Sequence, residues 1–150
     1  MTAFVTGGAG FLLAVLWFDL MFDVQAVRRH APDLPETVLA STGSYYRRVT
    51  TEARPMNRLV AAVMVGTLAA IIVQLVRGDA PRWAASVSLA LTAGAISLAA
   101  VRTVPSAIRL GARSDTIPVQ SRRARSILRD HLVCITAVAA VLVVQLAFAR

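Results

Sequence analysis

Four stretches of mostly apolar residues alternate along the chain with segments rich in arginine. They cover about residues 4–24, 59–76, 83–101 and 132–148. Each is near the ~20 residues that an α-helix needs to cross ~30 Å of hydrocarbon. Because lipid offers the backbone no hydrogen-bonding partner, a spanning segment of this kind must be helical. The pattern predicts an all-α integral membrane four-helix bundle of one domain, with antiparallel up-down topology.

The two long connections, 25–58 and 102–131, carry thirteen of the sixteen arginines. By the positive-inside rule we expect both connections to be cytoplasmic and both termini to lie outside. The membrane is then the cell (inner) membrane. The short connection "RGDAPR" predicts a tight hairpin between the second and third spans.

The connections have helical patterns of their own. In the first, Asp33 and Glu36 have the spacing of a capping box, and the apolar residues that follow share one face as far as Pro55. This predicts a short cytoplasmic interfacial helix that carries the aromatic pair Tyr45 and Tyr46. The last helix is expected to run unbroken from Pro118 to position 148, about 31 residues or roughly 46 Å.

Composition narrows the class of protein. Hydrophobic residues make up 57% of the chain and the formal net charge is +8. We expect membrane lipids, including anionic head groups, as partners. No nucleic-acid-binding motif accompanies the arginines, so no nucleic-acid partner is predicted. The single cysteine, Cys134, is expected to be a small core residue.

Small residues recur at four-residue intervals on three of the predicted helices, as they do where membrane helices meet. Such contacts form within one chain or between subunits, so a homo-oligomer or a membrane complex stays open. Gln74 and Gln145 are expected to pair across the bundle. The small-residue stripes are Ser86, Ala90 and Gly94; Gly66 and Ala70; and Gly10 and Ala14.

The candidate chemistry begins in "WFDLMFDVQAVRRH", residues 17–30, where two aspartates end an apolar helix. Asp19 and Asp23 are four residues apart and therefore share a helix face. Asp19 is expected to lie the deeper in the membrane. A carboxylate at that depth should face protein or a wet cavity.

The fourth helix supplies the expected partner in "SRRARSILRDHLVCI", which brings His131 to the same depth. His131 and Arg102 are the cations expected beside the aspartates. The cluster has three interpretations: interfacial salt bridges, a protonatable or substrate-binding pocket, and a metal site of Asp19, Asp23 and His131. We assign no metal ligands, because no helix shows a Glu-x-x-His pair. The candidate catalytic residues are Asp19, Asp23, His131 and Arg129, and the candidate binding residues are Trp17, Phe22, Glu52, Asn57, Arg102 and Asp130.

The layout resembles the small four-helix anthrone-oxygenase-like membrane proteins. The resemblance is one of outline. It rests on the entry "RPMNRLV" into the second span, the opening "VRTVPSAI" after the third, and the basic run into the last helix. It implies oxidation of a hydrophobic aromatic substrate, with His131 and Arg129 as the transferred positions.

Three function classes follow from the sequence. The favoured one is a structural or accessory membrane subunit, which needs no pocket. The others are an oxygenase-like membrane enzyme acting on a lipophilic aromatic or quinone-like substrate, and a small proton-coupled carrier. No cofactor is identified by the sequence. A cavity that reaches the aspartates would separate the first class from the second.

Overall fold

The computed structural model describes residues 1–27 and 32–147 of the chain. These residues form helices and turns, with no strand among them. The α-helices are α1 (Thr2–Asp23), α2 (Glu36–Arg47), α3 (Arg54–Arg77), α4 (Arg82–Leu98), α5 (Val104–Ala112) and α6 (Ile117–Ala147). A 3-10 turn (Val24–Val27) follows α1, and two π-helical turns follow α2 (Arg48–Glu52) and α4 (Ala99–Thr103).

Four helical stretches are long and apolar enough to cross a membrane, as the hydrophobic pattern predicts. They are Thr2–Val27, Arg54–Arg77, Arg82–Ala112 and Ile117–Ala147. The last is 31 residues long and begins one residue before Pro118, so the predicted length of the fourth helix is confirmed. Position 148, its predicted end, lies outside the described residues.

The connection predicted over 102–131 is mostly helix. The third helical stretch continues through the π-helical turn Ala99–Thr103 into α5, and only a short turn separates α5 from α6. Pro105 lies in the first turn of α5, where its missing N–H costs least. The π-helical turn before it shifts the backbone hydrogen bonds and so accommodates the proline.

The helix predicted between the first two spans is α2, and both of its ends differ from the prediction. Glu36 begins α2 after Pro35, and Asp33 makes no side-chain cap, so the predicted capping box is wrong. The π-helical turn Arg48–Glu52 then leads into α3 at Arg54, so that Pro55 starts the next helix. Proline suits a first helical turn better than a last one.

Two apolar clusters hold the molecule together. One joins the bundle helices through residues such as Val5, Ile71 and Val141, all at most 1% exposed. The other packs α2 and α5 against α6 through residues such as Leu39, Leu110 and Ile127, all fully buried. The second cluster lies beside the last turns of α1 and so positions the candidate site.

The helices α2 and α5 approach each other at backbone distance. A Cβ placed on Gly111 would lie 2.7 Å from the Arg47 backbone nitrogen and 3.2 Å from the Tyr46 carbonyl carbon. A Cβ on Gly43 would lie 3.1 Å from the Leu110 carbonyl oxygen. Glycine at these two positions therefore permits the close approach of α2 and α5 that fixes the position of Tyr46.

The predicted small-residue stripes are mostly not contacts within the chain. Ser86, Ala90 and Gly94 face outward from α4, and a Cβ on Gly94 or Gly66 would meet nothing within 4 Å. Ala70 alone among the stripe residues is buried. The four-residue spacing of small residues identifies a helix face on which two backbones can approach. Which face lies inside the bundle depends instead on where the large apolar side chains are buried.

The predicted pairing of Gln74 with Gln145 is confirmed. The two amides exchange hydrogen bonds of 3.0 and 3.1 Å, and both side chains are buried. Gln145 also donates to Ser88 Oγ at 3.1 Å, and Gln74 donates to Thr2 Oγ1 at 3.2 Å. The cluster ties α1, α3, α4 and α6 together at the end of the bundle opposite the aspartates.

Candidate functional site

The last turns of α1 present two aspartates to α2 and α6. His131 on α6 lies between them: its Nδ1 is 2.5 Å from Asp23 Oδ2, and its Nε2 is 3.9 Å from Asp19 Oδ2. The side chain of Asp23 is 1% exposed, that of His131 9% and that of Asp19 18%. The structure thus brings together the two aspartates and the histidine that the sequence singles out.

Each aspartate also accepts a hydrogen bond from a tyrosine of α2. Tyr45 Oη donates to Asp19 Oδ1 at 2.5 Å, and Tyr46 Oη donates to Asp23 Oδ1. Burial, and then the neighbouring carboxylate charges, raise the pKa of both tyrosines well above its usual value. Both phenols therefore stay protonated and act as donors at neutral pH.

We call the five side chains Asp19, Asp23, Tyr45, Tyr46 and His131 the acid–imidazole cluster. The sequence predicts that Tyr45 and Tyr46 lie on the interfacial helix and indicates no role for them. The signal that could have indicated one is that two buried carboxylates need donors, and a histidine supplies at most two. The tyrosines are the strongest neutral donors in the neighbouring segment.

Asp23 is the more enclosed of the two aspartates, although Asp19 was expected to be the deeper. Asp19 precedes Asp23 by one helical turn toward the middle of the apolar run. However, α2 and α6 cover the end of α1, so that protein surrounds Asp23 while Asp19 faces an opening. Position along an apolar helix measures distance into the lipid and says little about enclosure by protein.

Arg102 is not a partner of the aspartates, contrary to expectation. Its Nε lies 3.2 Å from Asp130 Oδ2, and its Nη2 donates to Ser126 Oγ at 3.0 Å. The buried Asp130 precedes His131 in α6, so this ion pair fixes the same turn of helix that carries the imidazole.

The remaining candidates fall into two groups. Phe22 and Asn57 belong to the site: Phe22 stacks on Tyr45 with ring centroids 3.9 Å apart, and Asn57 lines the cavity described next. Trp17, Glu52 and Arg129 are exposed on the outer surface. Glu52 pairs there with Arg47 at 3.6 Å.

A cavity of about 580 Å³ lies beside the cluster. Asp19, Tyr45, Tyr46 and His131 form part of its wall, and Asp23 stands behind His131. Its volume is within the range of small-molecule sites in proteins. The other lining residues are mostly apolar, and include Leu16, Val60, Met64, Ile96, Ala107 and Val138.

The cavity opens to the outside between α1, the start of α3 and α5. Four residues line the cavity and are also exposed on the outer surface: Phe18 of α1 (63%), Met56 of α3 (52%), and Val104 and Ile108 of α5 (47 and 46%). Both π-helical turns contribute to its wall, through Thr50 and Thr103 among others. π-helical turns within α-helices are frequent at functional sites.

Within residues 1–27 and 32–147, no group of three or more His, Cys, Asp or Glu side chains is arranged to hold a metal ion. Comparison with family descriptions, with characterised proteins and with solved structures finds no match to this chain.

Proposed function

We propose that this chain is a small multi-pass membrane enzyme that binds a lipophilic molecule in the cavity and removes a proton from it with His131. The observation that carries the proposal is the orientation of the imidazole. Asp23 holds Nδ1, so Nε2 is the ring nitrogen on the side of the cavity. A structural or accessory subunit, the class that the sequence favours, has no need of such a cavity.

The Asp23–His131 pair supports general base chemistry. The Asp23 carboxylate accepts a hydrogen bond from Nδ1–H, which leaves the Nε2 lone pair free to accept a proton from a bound molecule. Tyr46 donates to the second Asp23 oxygen and so keeps the carboxylate in place. Asp23 and Tyr46 are therefore positioning residues, and His131 is the catalytic base.

Asp19 has a different part in the proposal. It lies 3.9 Å from Nε2, on the cavity side of the ring. When Nε2 takes up a proton the ring becomes an imidazolium, and a carboxylate at that distance stabilises it. The Tyr45 hydroxyl, bonded to the other Asp19 oxygen, limits where that carboxylate can move.

The nature of the wall supports a lipophilic substrate. Apolar residues dominate it, and residues at its opening, such as Phe18, Met56 and Val104, belong to helical stretches apolar enough to cross a membrane. The outline resemblance to anthrone-oxygenase-like proteins supports a hydrophobic aromatic molecule. Arg129, the second position carried over from that resemblance, is exposed and takes no part in the proposed chemistry.

The proposed orientation follows from the arginines. With thirteen of sixteen on the two long connections, we place the acid–imidazole cluster toward the cytoplasm of the inner membrane and both termini outside. The four spans are then antiparallel in up-down order, and α2 lies at the cytoplasmic interface.

The test is proton exchange at an acidic carbon of a lipophilic probe. Anthrone is suitable, because its methylene hydrogens are acidic and it carries no charge. The full chain in lipid nanodiscs, in deuterated buffer without oxygen, should speed the exchange of methylene hydrogen for deuterium, measured by mass spectrometry. The proton passes to His131 Nε2, and a deuteron from solvent returns to the carbon.

His131→Gln should slow the exchange by about 10²-fold or more, as expected for loss of a general base. The matched control is Arg122→Gln, an exposed position of the same helix, which should exchange at the wild-type rate. Ala95→Phe, which fills the cavity without touching the cluster's charges, should also abolish the acceleration. Exchange that is not accelerated by the wild-type chain, or is unchanged in His131→Gln, would contradict the proposal.

A further inference from the structure

We infer that the ligand of the cavity is an amphiphile with an anionic head group, a carboxylate or a phosphate, which Arg54 and Arg58 hold at the opening while the apolar body reaches inward. The inference rests on the proposed function only in taking the cavity as a ligand site. It adds a class of ligand and two binding residues that the acid–imidazole cluster does not include.

The position of the two arginines is the first observation. Arg54 and Arg58 are four residues apart at the start of α3 and so share a face of that helix. Met56 and Asn57, which lie between them in sequence, line the cavity. Met56 is 52% exposed and belongs to the opening, and each of the two arginines lies two residues from it in α3.

The second observation concerns the ion pairs that the arginines at this end of the molecule form. Arg47, Arg102, Arg113 and Arg123 each have a carboxylate partner, respectively Glu52, Asp130, Glu36 and Asp115. Arg54 and Arg58 are exposed and, like Arg48, Arg109, Arg122 and Arg129, have no carboxylate within 4.0 Å among the described residues. Guanidinium groups with free donors suit carboxylate or phosphate oxygens.

The charge inside the cavity sets the orientation of the ligand. Asp19 and Asp23 lie at the inner wall or directly behind it, and they disfavour a second negative group there. An anionic head is thus repelled from the inner end and attracted to the opening. The same arrangement rejects an amphiphile with a cationic head, which the two arginines repel.

The experiment compares molecules that share one alkyl chain and differ in the head group. Equilibrium binding of radiolabelled dodecyl phosphate is measured on the full chain in a neutral detergent, with dodecanol, dodecyltrimethylammonium and inorganic phosphate as competitors. Dodecyl phosphate should bind about ten- to a hundredfold more tightly than dodecanol, as expected for charge-assisted hydrogen bonds. Inorganic phosphate should not compete at the same concentration, since the cavity holds the chain.

Arg54→Gln combined with Arg58→Gln should bring the two affinities within about threefold of each other, with dodecanol binding unchanged. The matched control is Arg77→Gln with Arg82→Gln, which removes the same charge at the opposite end of α3 and the start of α4. A preference for phosphate that survives in the first double variant, or is lost equally in the second, would overturn the inference. So would equal binding of dodecanol and dodecyl phosphate to the wild-type chain.

His131→Gln separates this inference from the proposed function. It should leave dodecyl phosphate binding intact, because the head group is held at the opening. Loss of proton exchange with retained head-group preference supports both proposals. Retained preference in a wild-type chain that does not accelerate exchange supports the binding inference alone.

Discussion

The ring of Phe22 lies flat on the ring of Tyr45, with centroids 3.9 Å apart and an angle of 10° between the planes. Phe22 is three residues after Asp19 on α1, and the stack fixes the Tyr45 ring so that its hydroxyl reaches Asp19. An apolar contact between α1 and α2 thus orients a polar one.

Removing the Tyr45 hydroxyl should cost stability without disturbing the stack. Tyr45→Phe keeps the ring and deletes the donor to Asp19, a bond to a charged group of the kind that contributes about 1.5–3 kcal/mol. A double-mutant cycle with Asp19→Asn, followed by thermal unfolding in detergent, should give a coupling energy of that order. Strictly additive effects would show that the hydroxyl and the carboxylate do not interact.

The two tyrosines should resist ionisation at high pH. They are the only tyrosines of the chain, so ultraviolet absorbance of tyrosinate reports on them alone. Their pKa is raised, first by burial and then by carboxylate charge, whereas an unperturbed tyrosine ionises near pH ~10. Because the folded pKa is the higher, the stabilisation is complete below pH ~10 and is lost as the pH rises above it. The native chain should show little tyrosinate at pH ~10.5, and unfolding should release it. Half-ionisation of the native chain near pH ~10 would contradict this.

Gly111→Ala should destabilise the chain and move α2. The new Cβ would meet backbone atoms of Arg47, which cannot rotate away as a side chain does. The separation of α2 from α5 should lower the melting temperature and weaken the hydrogen bonds of Tyr45 and Tyr46 to the aspartates. The shift can be followed by the tyrosinate absorbance just described.

Gly94→Ala is the control for that substitution. It lies on an outward face of α4, where a Cβ meets nothing within 4 Å. Alanine favours a helix by up to about 1 kcal/mol over glycine, so the melting temperature should stay the same or rise. If Gly94→Ala lowered it as much as Gly111→Ala, the Gly94 face would be a contact surface in the folded protein.

The glutamine cluster should respond more to a single substitution than to a double one. Gln74→Leu leaves the buried Gln145 amide without its reciprocal partner, which costs about 1–3 kcal/mol. Gln74→Leu with Gln145→Leu removes both polar groups and should recover part of that loss. Thermal unfolding of the two single variants and the double variant measures the difference; a double variant less stable than either single one would be inconsistent with a hydrogen-bonded pair.

The orientation is testable by cysteine labelling in intact cells. Single cysteines at Ser41 and Ser114, both exposed, are introduced in a Cys134→Ala background. Neither should react with an impermeant maleimide until the cells are permeabilised, because both positions are proposed to be cytoplasmic. A cysteine at the exposed Asp79 should react without permeabilisation. Labelling of Ser41→Cys or Ser114→Cys from outside would reverse the proposed orientation.

The parts of this fold that could be predicted are those fixed by local pattern. The four apolar helices follow from hydrocarbon thickness, and the length of α6 follows from an unbroken apolar and basic run. The Gln74–Gln145 pair follows from the same reasoning, since a lone amide in an apolar helix needs a partner and both glutamines lie near the ends of their helices.

The rest depends on packing between segments distant in sequence. The helix α5 was missed because Pro105 indicates a break, and nothing in "VRTVPSAI" shows that a π-helical turn accommodates the proline. The tyrosine donors and the Arg102–Asp130 pair likewise arise only when α2 and α5 dock beside the ends of α1 and α6. The site of His131 was predictable in outline, but its partners were set by that docking.

The π-helical turn Ala99–Thr103 holds one residue more than the α-helical turn it replaces. The extra residue is taken up by wider turning, so the chain leaves the turn at almost the angle that an α-helical turn would give it. Loss of one residue from this turn would therefore leave a regular α-helix, with Val104 and Ile108 still at the opening and Gly111 still against Arg47. Loss of one residue from the regular part of α5 has no such compensation, because each residue of an α-helix turns the chain by about 100°. In this segment a one-residue deletion is therefore tolerated best within Ala99–Thr103.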